Sequence, residues 1–366
     1  MKKQILAVAV AGAFAVPAFA AADSNVTLFG QLQTQIVHHS GGDLDSGFRM
    51  HDGGYVGGAD EGGLYGANPN RIGVMASHDL GNGLKAFLKV EQDVDTRQGM
   101  NRGARDQFVG LEGNFGRIQA GRMASPYVTA GKDPLNGTFM QGRTNGARLA
   151  PLGGLGEGSY LDNGLSYSNS FGIVSLNVAA FVDNADDSDS ALAARLNFDL
   201  DPVELYIAHN HADGYVAHPS WEFDNQGNVT TEGGDFRATK IGADFRTGPF
   251  RLVGEVTDFK WEDGDGNTQG EGNTYFLSGT YTMGRNDFVL NLGHTRNDDA
   301  GNVDYAAIAV KHNFSNRVMG FAGVAYSDYD NDAPGYSRAV SANVLTGDDS
   351  SSTSFTGVGA GLRVSF

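Results

Sequence analysis

Apolar residues recur at every second position along most of this chain. Phe250, Leu252 and Val256, with Gly254 among them, alternate with Arg251, Val253, Glu255 and Thr257. Ile241, Ala243 and Phe245 alternate with Lys240, Asp244 and Arg246, and Val203, Leu205 and Ile207 with Glu204, Tyr206 and Ala208. Phe288, Leu290 and Leu292 alternate with Val289, Asn291 and Gly293. A period of two sorts side chains onto the opposite faces of a β-strand. The pattern predicts about sixteen strands, at 26–37, 70–79, 84–94, 105–113, 116–123, 163–169, 172–183, 190–199, 202–212, 236–246, 249–261, 273–282, 286–297, 302–313, 317–327 and 355–366. Periodicity alone fits two settings, because the same ions face bulk water in a sandwich and a wet bore in a lipid-embedded barrel.

The connections separate the two. Short ones, at 78–83, 114–116, 170–171, 200–202, 246–249, 283–285 and 313–316, carry turn chemistry such as Asn82-Gly83, Asp201-Pro202 and Gly248-Pro249. They alternate with longer Gly- and Asp-rich segments at 38–69, 95–104, 124–162, 213–235, 262–272 and 328–354, and with shorter polar ones at 184–189 and 298–301. Short turns on one rim, long loops on the other and an even strand number predict an all-β fold, a transmembrane antiparallel β-barrel. A barrel of that width is too wide for side chains to fill and keeps an aqueous channel.

Composition agrees. There are 53 Gly, 22 Phe and 13 Tyr but 9 Pro, which suits strands and tight turns, since glycine inside a helix costs about 1 kcal/mol. A mean hydropathy of -0.29 with no second long apolar run argues against membrane helices but not against alternating strands. There is no cysteine, so no disulfide framework is expected. The first residues read as a secretory signal peptide over 1–20: basic Lys2 and Lys3, an apolar stretch from Ile5 to Ala15, and the small-x-small site Ala18-Phe19-Ala20. Cleavage is expected after Ala20 or Ala22, leaving one barrel over 21–366 with no separate domain. At the other end, Val358, Ala360, Leu362, Val364 and Phe366 alternate with Gly359, Gly361, Arg363 and Ser365. A final strand closing on an aromatic predicts that Phe366 is the signal for barrel assembly.

The formal charge of -17 disfavours nucleic acid as a partner. The acid collects in the presumed loops, for example Asp183 to Asp189 and Asp328 to Asp332. It reads as solvated charge, with divalent-cation bridging to anionic outer-leaflet lipid, or a salt-adapted surface, as the sharper alternative.

Several strings, in order, resemble the general porins of Gram-negative bacteria. They are Asn25-Val-Thr-Leu-Phe-Gly-Gln-Leu32, Asn70-Arg-Ile-Gly-Val74 with Asp79-Leu-Gly-Asn-Gly-Leu-Lys-Ala86, and Arg105-Asp-Gln-Phe-Val-Gly-Leu111 with Asn114-Phe-Gly-Arg-Ile-Gln-Ala-Gly-Arg122. The resemblance implies a homotrimer, each protomer with its own pore, in contact with outer-membrane lipid and lipopolysaccharide and inserted by the barrel assembly machinery. It implies that the third long loop, about 125–162, folds inward and narrows the pore. It also implies wall arginines, matched by Arg71, Arg105 and Arg122, facing carboxylates on that loop, for which Asp133 and Glu157 are the candidates. Lys85 and Lys89 share a strand face with Glu91 and Asp93 and are expected in the lumen. Lys132, Arg143 and Arg148 on the same loop depart from a purely acidic loop. The expected function is passive diffusion of ions and small hydrophilic solutes. The alternatives are a channel selective for a sugar or organic acid, and a non-conducting adhesive barrel.

No catalytic motif is apparent, and an enzyme is not expected. His209, His211 and Asp213 lie on one strand face but read as polar rather than metal-binding. Asp263-Gly-Asp-Gly-Asn267 starts like a calcium loop but has Thr268 and Thr274 at the decisive positions. Neither metal nor cofactor is expected.

Overall fold

The computed structural model describes residues 24–41, 46–51, 55–56, 64–65, 70–94, 96, 104–145, 160–182, 190–213, 235–262, 265–298, 301–330 and 354–366. The expected leader at 1–20, Arg148 and Glu157 lie outside the described residues. The strands are β1 (Ser24–Gly41), β2 (Gly47–His51), β3 (Tyr55–Val56), β4 (Leu64–Tyr65), β5 (Arg71–Gly81), β6 (Leu84–Asp93), β7 (Ala104–Gly113) and β8 (Gly116–Ala124). They continue as β9 (Tyr160–Phe171), β10 (Val174–Val182), β11 (Ser190–Asp199), β12 (Val203–Asp213), β13 (Phe236–Thr247) and β14 (Phe250–Glu262). The last are β15 (Thr268–Met283), β16 (Asn286–Asn297), β17 (Gly301–Ser315), β18 (Val318–Tyr329) and β19 (Ser354–Ser365).

Seventeen of these form one antiparallel sheet, and β3 pairs with β4 apart from it. From β5 onward each strand pairs with the next in sequence, and β1 joins β5 to β19, so the sheet closes on itself. β2 is a short piece that continues the wall beside β1 above β5, which leaves sixteen spanning strands. Each expected strand is present. The differences lie in the expected loops, where β2 falls within 38–69 and β15 starts at Thr268, taking up the last five residues of 262–272. Turns such as 82–83, 114–115 and 248–249 are short, and Asn82 and Gly83 both take positive φ (53° and 76°), the backbone that hairpin turns of this type require.

The pattern of burial is inverted relative to a water-soluble domain. Val26 and Leu28 on β1 are 68% and 60% exposed, and Ile241, Leu252, Leu277, Leu290, Ile308 and Leu362 are likewise exposed on their strands. The alternate positions carry buried Gln33, Gln35, Lys240, Asp244, Glu255, Asn291 and Thr295. An apolar belt outside and a polar face inside is what a barrel in lipid requires.

The seam at β1 is specific. Ser24 to Gln31 pair with β5, and Gln31 to Gly41 pair with β19. Phe366 exchanges backbone hydrogen bonds with Gly30 (3.2 and 3.0 Å), and its ring lies where a Cβ on residue 30 would sit, 2.3 Å from Cζ. Gly30→Val should therefore displace the ring at a cost of about 1–3 kcal/mol. The expected result is a lower temperature for the folded-to-unfolded mobility shift on SDS gels, while Gly47→Val, in open space, leaves it unchanged.

Candidate pore constriction

On the polar face of β5–β7, three of the basic residues singled out from the sequence come together. Glu91 on β6 is 3% exposed in its side chain. Lys89 Nζ lies 2.6 Å from Glu91 and 2.6 Å from Asp106, Arg105 donates to Glu91 and, at 2.9 Å, to Asp93, and Arg71 Nε lies 3.7 Å from Glu91. A break in register between Val90 and Gln92 sets both Arg105 and Asp106 opposite Glu91, where Arg105 pairs with Glu91 and Asp106 with Lys89. Arg122 does not join this group: it stands opposite Gln107, in the row of outward-facing Val90, and donates to Asp162 (2.8 Å) and to the Ala104 carbonyl (2.9 Å). Aromatic rings steady two of the cations: Phe29 lies 5.5 Å from Lys89 Nζ, and Tyr160 lies 4.9 Å from the Arg105 guanidinium.

Lys85 is not part of this group. It is exposed near the short-turn end of β6, opposite Asp79 and Glu112, six residues and about 20 Å along the strand from Glu91.

Segment 125–145 is the described part of the long third loop. Asp133 organises it from within, accepting from the Leu135 amide (2.8 Å), the Gly142 amide (2.7 Å) and Asn291 on β16 (2.8 Å). Its recorded bonds are thus to the segment itself and to β16, not to the β5–β8 cations. Polar-face side chains of many strands hold the segment. Gln33 donates to the Gly137 carbonyl (2.6 Å), Gln35 accepts from the Phe139 amide (3.2 Å), and Arg363 donates to the Asn136 carbonyl (3.3 Å). Lys311 donates to Pro134 (3.1 Å), Arg195 to Thr129 (2.7 Å), and Tyr305 to Met140. Lys132 pairs with Glu204 and, at 3.5 Å, with Asp244, and Lys240 lies 4.0 Å from the Tyr127 ring.

Apolar contacts complete the attachment. Leu135, Phe139 and Met140 are buried with Val37, Phe276, Val289, Tyr305 and Phe321. Tyr127 and Ala130 are buried with Phe181, Tyr206, Phe236 and several alanines. Gly323 leaves the space that Met140 fills, since a Cβ there would lie 2.5 Å from Sδ.

Sequence reasoning did not assign these anchors. For Gln33, Gln35 and Arg363 a signal was present, because each occupies the polar phase of an alternating strand. For Glu204, Asp244 and Lys311 the phase was equally visible, but the partner on a distant segment was not.

Removing the central carboxylate leaves Lys89 and Arg105 with one acid fewer. Glu91→Gln should lower barrel stability by about 1–3 kcal/mol, more at low ionic strength than at high. Thermal unfolding in detergent at two salt concentrations checks this; an effect independent of salt would point to packing rather than charge.

The Gram-negative porin family model matches residues 7–332. Major outer membrane protein P.IB of Neisseria meningitidis serogroup A is 38% identical over 133 residues, covering 34% of this chain and 35% of the relative. P.IA of serogroup C is 48% identical over 61 residues, 16% of each chain. The match thus spans about a third or less of the length of these curated relatives. Among solved structures, an anion-selective porin from Comamonas acidovorans superposes with a TM-score of 0.72 at 21% identity, over 94% of this chain and 100% of that one. OmpF of Salmonella typhi, in complex with daunomycin, gives 0.61 at 14% identity, over 93% and 97%. At those identities the structures speak for the fold, a closed barrel of porin type. The family match and the apolar belt around a closed barrel place the chain in the outer membrane. The chain belongs to the Gram-negative porin family.

Proposed function

We propose that this barrel is a water-filled channel for passive diffusion of ions and small hydrophilic solutes across the outer membrane, and that it works as a channel rather than an enzyme. The observation that carries the reading is the closed ring of sixteen spanning strands with an inverted burial pattern, because a ring of that size leaves a bore that side chains cannot fill. The protein assembles as a homotrimer with one pore per protomer, in contact with lipopolysaccharide, after insertion by the barrel assembly machinery that reads Phe366. These partners rest on the family resemblance.

Segment 125–145 runs inside the bore and narrows it. The support is its set of bonds to polar-face residues of β1, β11, β12, β16, β17 and β19, strands spread around the ring. The passage then lies between the segment and the β5–β7 wall, where Arg71, Lys89 and Arg105 face it beside Glu91, Asp93 and Asp106. Arg363, which donates to Gln33 Oε1 (2.8 Å) and the Asn136 carbonyl, stands near Arg71, because β1 sets Gln33 opposite Arg363 and Gln31 opposite Arg71. Fixed charges at a narrow wet gap filter ions by sign.

Reconstitution in a planar bilayer tests the channel. Large conductance steps in groups of three, rising almost linearly with salt, are expected; a folded barrel that passes no current would overturn the reading. Two unit charges about 8 Å from a passing ion contribute about 1 kcal/mol in water before screening. The double variant Arg71→Gln, Arg363→Gln should therefore lower the chloride-to-potassium permeability ratio by about two- to fivefold, read as a shift of the reversal potential in a salt gradient. An unchanged ratio would place the filter elsewhere. The variant Asp133→Ala should give noisier, larger steps, because the turn that shapes the segment loses its acceptor.

A further inference from the structure

A trough of about 690 Å³ opens at the short-turn rim, along the polar face of β7–β12. The register of the sheet sets its chemistry. Glu112 stands opposite Arg117, Arg117 opposite Ser168, Ser168 opposite Asn177 and Asn177 opposite Arg195. Residues directly opposite in a ladder share a face, so these five side chains form one row across five strands. Arg117 and Arg195 are three strand spacings apart, about 14 Å between their Cα atoms.

The two ends of the row differ. Arg195 is occupied, donating to the Thr129 carbonyl and to Asn197 (2.5 Å), and its neighbour Glu204 is taken by Lys132. The other end is loosely used. Arg117 and Glu112 stand 3.9 Å apart, the limit of an ion pair, and both side chains are more than a third exposed. The guanidinium is nevertheless held in place, 3.9 Å from the Phe87 ring and with Nε donating to Gln119 (3.1 Å). A fixed cation beside an accessible carboxylate is the complement of a carboxylate beside an ammonium. A solute of one sign meets a like charge at this end of the trough, whereas one carrying both signs on adjacent atoms meets an opposite partner for each.

We propose that Arg117 and Glu112 form a docking site for the head group of α-amino acids at the short-turn mouth of the barrel. The guanidinium takes the α-carboxylate and Glu112 the α-ammonium. A polar side chain lies along Ser168 and Asn177 toward Arg195. The transport role of the site rests on the reading of the barrel as an open channel; the binding itself does not.

L-Glutamine, which is a zwitterion of zero net charge, is the probe. N-acetyl-L-glutamine (carboxylate alone), L-glutaminamide (ammonium alone) and glucose are the comparisons. Binding is read by saturation-transfer NMR on the refolded barrel in detergent, and by current interruptions in a bilayer at about 0.1 M KCl, where screening is modest. Half-saturation by L-glutamine should fall at least about fivefold below the other three, the scale of one half-exposed ion pair. Glu112→Gln and Arg117→Gln should each remove that preference while the SDS-gel mobility of the folded barrel persists. Four solutes that behave alike, or variants that keep the preference, would overturn the site. A barrel that binds L-glutamine selectively but passes no current would keep the site and reject the channel.

Discussion

The hydrocarbon of a membrane offers no partner to a backbone N–H or C=O, so every such group on a spanning segment must be paired within the protein. For strands this means a ring without edges. That constraint is concentrated at β1. Its 18 residues are divided among β5, β2 and β19, and its middle meets the end of the last strand, where Phe366 and Gly30 exchange both of their backbone bonds. Apart from β1 with β5, the other ladders of the ring join strands adjacent in sequence, through a turn or a single loop. The β1–β19 ladder joins residues more than 300 positions apart, and its closure makes the rest of the sheet edgeless.

Closure also explains how charge is distributed. Outside, apolar side chains meet lipid. Inside, polar faces meet one another, so a carboxylate as enclosed as Glu91 is stabilised by three cations. The polar face is used in two ways. Around β10–β19 and β1 it carries the hydrogen bonds, the Lys132 ion pairs and the apolar sockets that hold segment 125–145. Around β5–β7 it carries the cluster of Arg71, Lys89 and Arg105 with their acids. A structural half and a charged half share one wall, and the proposed passage is the space between them.

The strands and their faces were legible in the sequence because period two is a local property: a residue's face follows from its parity along the strand. All sixteen spanning strands, the short turns and the lumenal placement of Lys89, Glu91 and Asp93 follow from it. The clustering of Arg71 and Arg105 about Glu91 was legible in part, since strands adjacent in sequence are adjacent in the barrel. What parity could not show is the register break at Val90–Gln92 that turns Arg105 onto Glu91, because a bulge changes phase without leaving a mark in the composition.

The amino-acid sequence by itself determined the class of fold, the inverted burial and the sign of charge on each face, all of which depend on alternation and turn chemistry over a few residues. Only the tertiary structure decided which charges meet. Asp133 is used to fold its own segment, Lys132 reaches Glu204 and Asp244, and Arg363 sits near Arg71 although 292 residues separate them in the sequence. Such pairings arise from ring closure and from the bonds of segment 125–145 to strands distant in sequence, and loop closure carries no periodic signal to read.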